Sequence, residues 1–99
     1  MITDESKVKR IDVTAWESDI YGWDYTDDLG ADTISVSDWT LESGSDATIT
    51  DLEFTGAQTQ VRFTGGSVGK HKVTNQMTTT AGAKYERTLI FNVVEYIYG

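Results

Sequence analysis

The feature that most constrains this chain is a pair of alternating segments between Gly65 and Val93 that read as two strands folded back on one another. The first places His71, Val73, Asn75, Met77 and Thr79 on one face, and the second places Leu89, Phe91 and Val93 on one face. Side chains of a strand alternate sides, so each set can enter one core while the residues between them meet water. Between the segments, Ala81-Gly82 offers a residue that takes positive φ without steric cost, as a tight turn requires. A long β-hairpin is predicted. Asn75 lies in phase with apolar neighbours, so its amide is expected to be buried and hydrogen-bonded, fixing the register.

The 99 residues suffice for one modest core and not for two. At 38% hydrophobic and 11% aromatic they carry enough apolar material to argue against wholesale disorder. Cysteine is absent, which excludes disulfides and thiolate metal sites and leaves burial and hydrogen bonding to supply stability. Threonine is frequent; being β-branched, it suits half-exposed strand faces. No run approaches a membrane span, and the polar opening MITDESK lacks the apolar segment of a signal peptide. The chain is therefore expected to be made in the cytoplasm, to work away from membranes, and to leave only as part of an assembly.

The net charge of −8 repels phosphate backbones and argues against nucleic-acid binding. The charge is unevenly spread. Between Ile11 and Val61 there is no Lys or Arg, while Asp12, Glu17, Asp19, Asp24, Asp27, Asp28, Asp32, Asp38, Glu42, Asp46, Asp51 and Glu53 all fall there. Beyond it, Arg62, Lys70, Lys72, Lys84 and Arg87 outnumber Glu86 and Glu95. Two readings stay open: a solvated acidic surface, or a dipolar subunit that packs its acidic half on the basic half of a neighbour. Acidic and basic side chains mixed over one surface would count against the second.

Taken in order, residues 1–10 read as an extended polar arm, and Ile11, Val13 and Ala15 as a first short strand; the arm and that strand together span 1–18, and a single sandwich domain spans 19–99. Trp16 falls on the face opposite Ile11, either as a contact anchor or as cover for its own core edge. Tyr21, Trp23 and Tyr25 form an aromatic stripe at strand spacing, more suited to core than to a ligand cage. The segment Asp24 to Asp32 clusters carboxylates around Gly30 without EF-hand spacing, so turn closure is expected and a cation is the rival reading. Ile34 and Val36 share one face and Trp39 and Leu41 the other, which predicts a bulge near Ser37-Asp38 returning both pairs to the core. A phase shift between Ile49 and Leu52 predicts a second irregularity, and Gly65-Gly66 a second turn.

About seven short strands, Gly- and Asp-rich turns and no stretch of helical period imply an all-β, two-sheet sandwich; without a Cys–Trp–Cys pattern, a true antibody domain is excluded while Ig-like topology remains open. No catalytic constellation emerges: one His in phase with Val73 and Met77, a single Gly-x-Ser-x-Gly spacing (Gly65 to Gly69) that falls in a turn between two predicted strands and not at a strand-to-helix elbow, and no phosphate-binding loop. The expectation is a non-enzyme with no cofactor and no metal.

Particular letters add a resemblance. Trp23-Asp24-Tyr25-Thr26-Asp27 with Leu29, then Asp32-Thr33-Ile34 and Trp39, and later Gly65-Gly66, Gly69, Val73-Thr74-Asn75, Thr78-Thr79, Gly82 and Glu86-Arg87-Thr88-Leu89 make Asp19 to Val94 similar to the fibre–tail adaptor proteins of tailed bacteriophages, small Ig-like virion components. His71 stands where that family commonly has Tyr, and Asp28 where it often has a second Trp. The resemblance implies an Ig-like sandwich and a virion structural protein that joins tail or neck to fibres. Its expected partners are tail, neck or fibre subunits and copies of itself in a ring. Apart from the resemblance, the N-terminal arm, Trp16 and the C-terminal Tyr96, Ile97 and Tyr98 are the expected contact elements. The alternative is an Ig-like capsid decoration or surface-adhesion module.

Overall fold

The predicted hairpin forms, and the other strands assemble on and opposite it. A computed structural model describes residues 7–95. In these residues β1 spans Val8–Thr14, β2 Ser18–Asp24, a one-turn helix α1 Thr26–Leu29, β3 Ile34–Leu41, β4 Thr48–Thr55, β5 Gln58–Thr64, β6 Gly69–Thr79 and β7 Lys84–Val94. They make two sheets, ordered β1-β7-β6-β3 and β2-β5-β4. The fold is the expected two-sheet β-sandwich of seven strands. With β1 set aside, the division of β2, β5, β4 from β3, β6, β7 is that of strands B, E, D from C, F, G in the immunoglobulin fold.

Pairing of β6 with β7 is antiparallel and unbroken from Gly69↔Val93 to Thr78↔Lys84. Gly82, at φ 93°, makes the turn that Ala81-Gly82 predicts. The alternation buries His71, Val73, Asn75, Met77 and Thr79 from one strand and Arg87, Leu89, Phe91 and Val93 from the other. Opposite them, the three-stranded sheet contributes Trp23, Val61 and Phe63, with Tyr25 just past the end of β2. Phe63 stacks on Phe91 at 3.8 Å and 4°, and Tyr21 meets the Phe91 edge at 4.9 Å. Each fully buried Phe contributes roughly 2–3 kcal/mol of apolar burial, and this ring stack ties the two sheets at their centre.

Elsewhere the structure corrects the sequence reading. Val8 to Arg10, assigned to the arm, pair in parallel with Thr88 to Ile90, so β1 is a full member of the four-stranded sheet; residues 1–6 of the arm lie outside the described residues. The first bulge falls between Ile34 and Val36, not at Ser37-Asp38. It rotates Val36 to the outer face, 49% exposed, while Ile34 and Trp39 stay buried. The second irregularity is where expected, between Thr50 and Glu53, with Asp51 at φ 54°. Leu52 and Phe54, on this edge strand, remain largely exposed. Gly65-Gly66 is not a positive-φ turn. A side chain on Gly65 would sit 2.7 Å from the Thr14 carbonyl, and one on Gly66 2.8 Å from the Ala47 nitrogen, so both glycines answer to crowding.

A chain of polar groups runs through the apolar core. The Tyr25 hydroxyl donates to Asn75 Oδ1 at 3.1 Å; Asn75 Nδ2 donates to Ser37 Oγ at 2.8 Å and to the Asp38 carbonyl at 3.2 Å. Ser37 Oγ lies 2.6 Å from Thr59 Oγ1, which also accepts from Trp39 Nε1 at 2.9 Å and donates to the Glu53 carbonyl at 3.4 Å. Because the last acceptor is a carbonyl, Thr59 uses its one proton there and Ser37 must donate to it. Every donor in the series then has a defined target. The series crosses from one sheet to the other and ends at the β4 bulge, fixing register as expected of Asn75.

Candidate interaction site

Three loops meet at one end of the sandwich: 15–17 after β1, 42–47 after β3, and 65–68 after β5. The first is a closed turn. Glu17 N donates to the Thr14 carbonyl at 3.2 Å, Thr14 N donates to Glu17 Oε1 at 2.9 Å, and Gly65 N donates to the Glu17 carbonyl at 3.2 Å. Asp46 binds the third loop through Ser67 N at 3.0 Å and through the Ser67 hydroxyl. That hydroxyl, and then the Ser67 backbone N–H, hold the Asp46 carboxyl below the usual carboxylate range.

His71 braces the same end. Its Nε2 faces the Ser67 carbonyl at 2.8 Å, so Nε2 carries the proton and Nδ1 accepts from Ser45 Oγ at 2.6 Å. A side chain near the start of this strand that reaches back to an upstream carbonyl does what the corner tyrosine of immunoglobulin domains does. This explains how His can stand where the resembling family commonly has Tyr. With both nitrogens engaged and the ring buried, its role here is positional.

On this rigid end Trp16 stands 93% exposed and Val68 63% exposed. Trp16 therefore does not cover its own core edge. Leaving an indole in water forgoes burial on the order of 4 kcal/mol. A shallow concavity lies between Trp16, Val68 and Val94, rimmed by Glu17 and Glu95. The loops carry Glu17, Glu42 and Asp46 and no Lys or Arg, so the end is both apolar and acidic. Val68 escaped the sequence reading because a single apolar residue between glycines shows no periodicity. Tyr96, Ile97 and Tyr98 lie outside the described residues, which end at Glu95 on this rim.

The opposite end holds the acidic segment. Asp24 Oδ1 accepts from Thr26 N at 2.9 Å and from the Thr26 hydroxyl, and its Oδ2 accepts from Gln58 at 3.2 Å. Those Thr26 contacts, side chain first, hold the Asp24 carboxyl low. Asp32 accepts from Thr33 N at 2.9 Å and Ala81 N at 3.3 Å, and hydrogen bonding, with Thr79 the largest contributor, lowers it likewise. Asp28 pairs with Arg87 at 3.6 Å. Three of these carboxylates thus close turns or pair with a cation, and among the described residues no group of three His, Asp or Glu is arranged to hold a metal ion. Arg87, unnoticed as a buried residue, lies over the rings of Tyr25 at 5.3 Å and Tyr85 at 5.7 Å. Burial pushes the Tyr25 phenol far up, with Arg87 opposing it.

On the outer face of the four-stranded sheet, register sets Lys72, Ile90 and Arg10 abreast, with Lys70, Asn92 and Asp12 in the next row. Lys84, Glu86 and Asp38 share that face further along, so acidic and basic side chains are mixed over it. The simple division into acidic and basic halves fails.

The family model described as podophage GP4 fiber-tail adaptor protein gp77 matches residues 13–92. The chain belongs to this family. The match to the fibre–tail adaptor family takes in Trp16 and the whole polar series of the core and stops short of Tyr96 to Tyr98. No curated protein matches the chain. No helix among the described residues is long and apolar enough to cross a membrane.

Proposed function

We propose that this chain is a structural component of a podophage virion, an Ig-like adaptor that joins fibre to tail through protein–protein contacts and performs no catalysis. The observation that carries this reading is the adaptor-family match across 80 consecutive residues, from 13 to 92. The division of strands supports the Ig-like description. A buried His with both nitrogens engaged, and carboxylates committed to turns, support a role in contact and not in chemistry. Trp16 on its closed turn is the leading contact residue: a large, exposed aromatic held in place loses little entropy on binding. Tyr96, Ile97 and Tyr98 are proposed as further contact residues. The partners are other virion proteins, and copies of itself in a ring whose number follows the symmetry of the tail.

An electron-microscopy map of the particle tests this. The chain is expected between tail and fibres, at a copy number set by tail symmetry. Density spread over the capsid shell would make it a decoration module and overturn the adaptor.

A further inference from the structure

Two surfaces of this molecule are complementary to each other. The end bearing Trp16 and Val68 is apolar with an acidic rim, Glu17 and Glu95. The outer face of the four-stranded sheet carries the inverse: half-buried Ile90 with Lys72 on one side, Arg10 on the other, and Lys70 one row along. Two carboxylates border those rows: Asp12, which accepts from Asn92 Nδ2 at 3.2 Å, and Glu42 beside Lys72, which accepts from Lys72 N at 3.0 Å. Arg10, Lys70 and Lys72 are all exposed.

We propose that a second copy of this chain occupies the Trp16 end. Trp16 and Val68 of one copy seat on Ile90 of the next, with Glu17 and Glu95 against Arg10, Lys70 and Lys72. The inference deepens the adaptor reading, on which it rests for its purpose. Three observations argue for a copy over another occupant. The apolar element of one surface meets an apolar element on the other, and each rim meets its opposite charge. Each molecule has one of each surface, so the contact is heterologous and can repeat around a closed ring. Ile90 and Val94 lie four residues apart on one strand face, roughly 13 Å, so one copy can engage through both surfaces. The closed turn at Thr14–Glu17 also presents the indole without a folding step.

Sedimentation velocity on the purified full chain at physiological salt reads the contact. Wild type is expected to associate with rising concentration, and Trp16→Ala to weaken that association by about 30-fold or more, as for a central aromatic anchor. The double substitution Glu17→Lys/Glu95→Lys removes the acidic rim, and Arg10→Glu/Lys72→Glu reverses the stripe. Each is expected to stay monomeric alone. Mixed with each other, the two are expected to regain complexes, because two reversed rims are again complementary. All the substituted side chains are exposed, and unchanged circular dichroism verifies folding. Because Glu17 Oε1 also accepts from Thr14 N, Glu17→Gln/Glu95→Gln, which removes the charges and keeps that acceptor, is run beside the lysine pair and is expected to weaken association likewise. A wild type that remains monomeric at millimolar concentration, or association indifferent to Trp16→Ala, or reversed pairs that fail to recombine, overturns the contact. The two proposals fail separately. A chain found at the tail but monomeric in solution loses this contact and keeps its function; a chain that associates through Trp16 but is missing from the tail does the opposite.

Discussion

Tyr25, Asn75, Ser37, Thr59 and Trp39 hold their protons in one order because Thr59 ends on a carbonyl. Three of these five positions, Tyr25, Trp39 and Asn75, are visible in the sequence as members of an apolar face or as an in-phase polar residue; Ser37 stands out only as the place of an expected bulge, and Thr59, in the middle of a plain strand, gives no sign of being the junction. Trp23, Tyr25, Trp39 and Asn75 are also among the letters on which the family resemblance stands. Those letters therefore record how the core is wired and say little about what the surface touches. Asn75→Ala leaves the Tyr25 hydroxyl without an acceptor and opens a cavity, an expected loss of about 3 kcal/mol. Tyr25→Phe is expected to lose about 1 kcal/mol. If the two share one bond, the double variant falls short of the sum by roughly 1 kcal/mol in urea denaturation; simple additivity would disprove the coupling.

At the level of elements, what could be read depended on how local the cause was. The β6–β7 pair was legible because its alternation is uninterrupted and its turn has a Gly at the required place. The bulge in β3 was legible as a phase conflict and not as a position, since Val36 can be turned to water as readily as Trp39 can be turned inward. The α1 turn is too short for any period to appear, and the parallel partner of β1 lies some eighty residues downstream (Val8 against Thr88), beyond any local pattern. Of the candidate contact residues, Trp16 was legible as the tryptophan placed off the core face; Val68 was not. Turns carry the acid sensitivity. Asp24, Asp32 and Asp46 each pin one, and each has its folded pKa below the ordinary 3.8. The unfolded chain takes up protons first as pH falls, so their contribution is complete above about pH 4 and is lost as pH drops through the folded values. Denaturation midpoints are expected to hold from pH 7 to pH 5 and to fall below 4. Asp46→Asn should flatten part of that fall, and an unchanged profile would remove Asp46 from the account.

As a whole, the molecule is elongated, 43 × 27 × 18 Å, with acidic groups gathered at both ends and its exposed cations mostly on one sheet face. The net charge of −8 opposes close approach of copies at long range, yet at physiological salt that field fades within about 8 Å and leaves short-range complementarity to decide. The parallel pairing of β1 with β7 has a mechanical consequence. Because the first and last strands run the same way, a pull on Lys7 and Glu95 drives them past each other along their length, loading all seven paired positions from Val8↔Thr88 to Thr14↔Val94 together. A pull on Lys70 and Glu95 would instead part β6 from β7 one pair at a time, from the end where both begin and finish. Single-molecule stretching is expected to give a higher rupture force for the first pair of handles than for the second, and equal forces would refute the idea. In the adaptor role proposed above, a load carried between the two ends of the chain meets strands strapped in shear.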